Sequence, residues 1–149
     1  MVRSILSVVV GYVVLAVAVS LSSALVLLTP GFVFQAHTVE PSLLFTVFNL
    51  FLSLLAALAG GYVAALVAGE NRPTPVKVLA GSILIVGLAL AVPQQLHSHP
   101  APTAEELDRM TLLERASHAR EPVWYSFLIP FVGCFGVLAG GMLRTRTRG

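Results

Sequence analysis

The four histidines are the side chains of this chain best suited to chemistry. His97 and His99 stand two residues apart in Leu96-His97-Ser98-His99-Pro100, His118 follows in the same polar connection, and His37 falls in an earlier one. Imidazole nitrogen is a common ligand for zinc and copper, so His37, His97, His99 and His118 define a candidate external metal site if the fold gathers them. A His-x-His pair beside proline is equally an ordinary solvated linker, and spacing alone does not separate the two readings.

The other reactive residue types are explained more simply. Glu105, Glu106 and Asp108 crowd one segment, but Thr103-Ala104-Glu105-Glu106 has the form of a capping box. Acidic groups in a first helical turn also suit the helix dipole. They read as the start of a helix, not as a general acid and base. The sole cysteine, Cys134, rules out an intrachain disulfide and paired-thiol chemistry, and its neighbours Gly133 and Phe135 suit a packing residue.

The elements that would position these groups are apolar. Residues 4–29, 42–69, 78–93 and 123–143 contain no Asp, Glu, Lys, Arg or His. A helix needs about 20 such residues to cross roughly 30 Å of hydrocarbon. The chain is only 11% charged, against about 25% in soluble domains, so a water-soluble fold is a poor fit. The expected fold is an all-α integral membrane protein forming a single membrane domain over residues 1–149. Its four transmembrane helices, near residues 4–28, 42–68, 76–92 and 123–143, form a bundle of two up-down hairpins. One short amphipathic external helix is expected in the loop 94–121, near 104–119, with Leu107, Met110 and Leu113 on its apolar face. The first apolar run continues past the length of a secretory signal core, which favours an uncleaved span.

Four crossings put both termini on one side, with Arg3, Arg72, Lys77, Arg144, Arg146 and Arg148. Arg109, Arg115 and Arg120 fall on the other. The excess of basic residues places both termini in the cytoplasm, and a bacterial cytoplasmic membrane is the simplest setting. Arg144, Arg146 and Arg148 abut the last span and read as anchors to anionic headgroups, not as a nucleic-acid contact. Trp124 and Tyr125 read as aromatic anchors at the opposite interface.

Small residues supply the packing signal. Ala57, Gly61, Ala65 and Gly69 recur every fourth residue on the second span, and Gly133, Gly136 and Gly140 mark a close-approach face on the fourth. Leu58-Ala59-Gly60-Gly61 recurs as Leu138-Ala139-Gly140-Gly141. Pro130 should bend the fourth span. Asn49, an amide among apolar residues, should seek an interhelical hydrogen bond.

The absence of ionisable groups from the spans speaks against proton relays and ion-coupled transport, and the absence of histidine there speaks against axial haem ligation. The expectation is a non-enzymatic structural or accessory subunit with no cofactor. It would be embedded in the lipid bilayer and pack with another membrane protein or as a homo-oligomer. A small-solute facilitator or channel formed by an oligomer, and an external metal-binding protein using the histidines, are the alternatives.

Overall fold

The computed structural model describes residues 2–27, 41–69, 73–96, 103–111, 114 and 122–146. Four long helices carry most of them: α1 (Val2–Leu27), α2 (Leu43–Ala68), α3 (Thr74–Leu96) and α5 (Val123–Arg146). The short α4 (Ala104–Arg109) lies between α3 and α5 in the chain. All four long helices are long and apolar enough to cross a membrane.

Each start has a local cause. Ser42 is the N-cap of α2, with extended backbone, and its hydroxyl accepts from the Phe45 N–H at 3.1 Å. Pro41 therefore precedes the cap instead of occupying the first turn. The Lys77 N–H donates to the Pro73 carbonyl at 3.1 Å, which begins α3 earlier than the expected residue 76. Pro122 plays the same part for α5, accepting from the Tyr125 N–H at 2.9 Å.

Helix α3 also runs further than expected. The expected third span of residues 76–92 is short, whereas the helix has 23 residues and continues through Pro93 to Leu96. Proline withholds one donor from the preceding turn without ending a helix whose other hydrogen bonds are made. Pro130 likewise lies inside an uninterrupted α5.

The segment between α3 and α5 departs from a single helix. α4 ends at Arg109, and neither Met110 nor Thr111 is helical. The Thr103 N–H donates to Glu106 Oε2 at 2.8 Å, half of the expected capping box. A second box follows at once: the Thr111 N–H donates to Glu114 Oε2 at 2.7 Å, and the Glu114 N–H donates to the Thr111 hydroxyl at 3.4 Å. Met110 and Thr111 leave the helix and Glu114 is helical again, so the run 104–119 is broken near its middle, and its residues 112, 113 and 115–119 lie outside the described residues.

Contact pairs give the helix directions. Ser7 reaches Ala64 and Arg3 reaches Val67, so α1 and α2 are antiparallel. Gly87 meets Pro130 and Gly141 meets Val76, so α3 and α5 are antiparallel. Asn49 meets Tyr125 and Gly61 meets Val137, so α2 and α5 run parallel. Arg3, Lys77 and Arg144 consequently belong to one end of the array.

The interior is built from small side chains. Ala57, Ala64, Val76, Leu79, Ala80 and Val137 form the buried cluster, with Cys134 and Ala65 packed partly against it. Large apolar residues such as Ile85, Leu90, Phe131 and Phe135 point outward. Gly81 of α3 has open space around it, with nothing within 4 Å of where a Cβ would stand. Gly81→Ala should therefore raise stability by up to about 1 kcal/mol, because alanine loses less backbone freedom in a helix. A lowered unfolding midpoint in detergent would contradict this.

Candidate functional site

The helix-packing residues singled out in the sequence come together on the line where α2 meets α5. Gly61 faces the Val137 carbonyl and Gly140 faces the Leu58 carbonyl, so each helix presents a glycine to the other's backbone. A Cβ on Gly136 would stand 2.6 Å from the Ala57 Cβ and 3.2 Å from the Leu54 carbonyl oxygen. Helices come this close only where side chains are absent, and in an apolar medium such close packing replaces the hydrophobic force that is missing there.

The double glycines divide their work. Gly61 faces α5, whereas its neighbour Gly60 faces α1, where a Cβ would lie 2.9 Å from the Gly11 carbonyl oxygen. On α5, Gly140 faces α2 and Gly141 faces Val76 of α3. The expected single face Ala57, Gly61, Ala65 and Gly69 is thus two adjacent seams. Ala57 and Gly61 line one and Gly60 and Ala64 the other, with Ala65 half-buried between neighbours. Gly69 belongs to neither: it follows the end of α2 with φ of 84°, a backbone conformation that suits glycine.

Gly133 faces Ile83 of α3, separate from Gly136 and Gly140. Gly87 of α3 receives the ring of Pro130, whose Cγ would lie 2.7 Å from a Cβ at that position. The sequence marks Pro130 as a bend but does not pair it with Gly87. Their adjacency depends on the register of two antiparallel helices, which no local pattern encodes.

Several polar groups inside the helices are engaged with one another or with backbone. Asn49 Nδ2 donates to the Tyr125 hydroxyl at 2.5 Å, linking α2 to α5 near their N-terminal ends. The Ser7 hydroxyl, fully buried, donates to the Ala64 carbonyl at 2.5 Å and ties α1 to α2. Thr46 donates to the Ser42 carbonyl at 3.0 Å, and Ser82 to the Leu79 carbonyl at 2.8 Å.

The expected aromatic pair separates in role. Trp124 is 49% exposed and fits a surface anchor, but Tyr125 is 3% exposed, turned into the α2–α5 contact. The two rings meet edge to face with centroids 5.9 Å apart. An interhelical hydrogen bond of the Asn49–Tyr125 kind is worth about 0.6 to 2 kcal/mol in membrane proteins. Asn49→Leu and Tyr125→Phe should each lose that much, and the double variant should lose little more than either. Full additivity in a double-mutant cycle would show that the two side chains are not coupled.

His37, His97, His99 and His118 lie outside the described residues, as does Arg148. Among the described residues no three His, Cys, Asp or Glu side chains are grouped to hold a metal ion. Arg144 and Arg146 occupy the last turn of α5. No protein-family model, curated protein or solved structure matches this chain.

Proposed function

We propose that the chain is a non-enzymatic integral membrane protein, a four-span bundle with both termini cytoplasmic, serving as a structural or accessory subunit. The observation that carries this reading is the inverted distribution of side chains. Glycine, alanine, Ser7, Thr46 and Ser126 make up most of the buried positions, with Val76, Leu79 and Val137 the large aliphatic exceptions, while Ile85, Leu90, Phe131, Phe135 and many other large apolar side chains face outward. In water that arrangement would expose a large apolar surface, and in lipid it is the favourable one.

The polar groups that catalysis or conduction would use are instead engaged in packing, as Asn49 with Tyr125 and Ser7 with Ala64. The α2–α5 glycines are likewise occupied within the chain. Association with another membrane protein, or with a second copy, must then use the outward faces. The capped segments at Thr103 and Thr111 lie on the side opposite the termini in this reading.

Native mass spectrometry of the protein released gently from its own membranes tests the proposal. A defined complex with another polypeptide, or a homo-oligomer of fixed stoichiometry, is the expected result. A bare monomer that conducts a small solute into reconstituted vesicles would replace the subunit reading with that of a facilitator. Release of the protein by alkaline carbonate would refute membrane insertion itself.

A further inference from the structure

One edge of the Arg3 guanidinium is fixed. Nε donates to the Val67 carbonyl at 3.1 Å, one of the last carbonyls of α2, which lack partners within their own helix. The planar group lies across Gly69, where a Cβ would stand 3.4 Å from one Nη and 3.5 Å from Cζ. Gly69, with φ of 84°, provides a floor without a side chain.

That contact uses only the Nε–H. The two Nη groups make no hydrogen bond among the described residues, and Arg3 is exposed. A guanidinium held in this way presents its remaining donors in the fork that matches two phosphate oxygens. Charge at this end favours an anion: Glu70, next to Gly69 in the chain, is the one acidic residue of the adjoining connection, against Arg3, Arg72, exposed Lys77 and half-buried Arg144, and neither α1 nor α3 has an acidic residue in its first turn.

We propose that Arg3, seated on Gly69 at the end of α2, binds the phosphate of an anionic phospholipid headgroup. The inference rests on the membrane-spanning reading, which places the first turn of α1 at headgroup depth. The phosphodiester oxygens accept from the Arg3 Nη groups, and Lys77 and Arg144 add attraction without fixing orientation. No covalent step is involved.

The test reconstitutes the full chain in nanodiscs of mixed phosphatidylglycerol and phosphatidylcholine, then counts the lipids retained by native mass spectrometry after transfer to detergent. Wild type should retain phosphatidylglycerol in preference to phosphatidylcholine. Arg3→Gln should weaken that retention about tenfold, the scale of one charge-assisted hydrogen-bonded contact. Arg3→Lys, which keeps the charge and loses the fork, should fall between, and Arg109→Gln on α4 should match wild type.

Each arm decides something. Wild-type retention by Arg3→Gln, with an unchanged unfolding midpoint, overturns the site. If Arg3→Gln fails to fold, Arg3→Lys carries the test: wild-type retention by that variant overturns the oriented fork. Inorganic phosphate that binds the detergent-solubilised protein as well as the lipid does would assign the site to free phosphate instead. Failure of the chain to enter nanodiscs at all would strike the membrane reading, a separate outcome from loss of lipid preference.

Discussion

Replacing Gly61 or Gly140 with leucine should prevent α2 and α5 from meeting, with a loss of at least about 3 kcal/mol. Added bulk in a packed interior costs about 1–3 kcal/mol when neighbouring side chains can move aside. Here the obstacles are the Val137 and Leu58 carbonyls, backbone atoms held in their own helices. Rotamer changes cannot clear the space, so the helices must separate and give up the contact of Ala57 with Gly136. Titration with sodium dodecyl sulfate, followed through the fluorescence of the single tryptophan Trp124, reads the effect. Gly81→Ala is the internal control, since it adds a methyl group to open space. Wild-type midpoints for both leucine variants would mean that α2 and α5 are not in direct contact.

The second large effect is expected at the seat of Pro130. Gly87→Val places branched carbons where the proline ring now lies, with Pro130 Cγ and Cβ at 2.7 and 2.8 Å from the position of a single added Cβ. A loss of about 2–3 kcal/mol follows, at the upper end for overpacking because the ring is rigid. Pro130→Ala removes the obstacle and restores a backbone donor to α5. Combined with Gly87→Val it should recover at least half of the loss, which makes the pair strongly non-additive. Equal losses with and without proline would separate the two residues.

The long helices were legible because nothing but an apolar helix suits uncharged runs of that length. Their ends were less so. The expected third span ends at residue 92 although α3 passes through Pro93, and Thr111-Leu112-Leu113-Glu114 carries the same capping signature as Thr103–Glu106 inside what the sequence suggests is one helix. That second box was readable in the sequence and was missed. The small residues read as packing residues, and Gly61, Gly136 and Gly140 each stand against atoms of the facing helix. Their partners were not readable, because whether Gly60 or Gly61 faces α1 depends on helix rotation in three dimensions. Tyr125 was misjudged for a related reason: beside Trp124 it has the pattern of an interfacial pair, and only its meeting with Asn49 reveals the inward turn.

The parallel contact between α2 and α5 bears on how the protein is made. In the membrane-spanning reading proposed above α2 inserts beside α1, yet the groove formed by Ala57 and Gly61 stays open until α5, the last of the four long helices, arrives. During synthesis, nascent chains halted before Val123 carry a finished α1–α2 hairpin with one uncovered small-residue edge. That edge disappears when α5 closes over it.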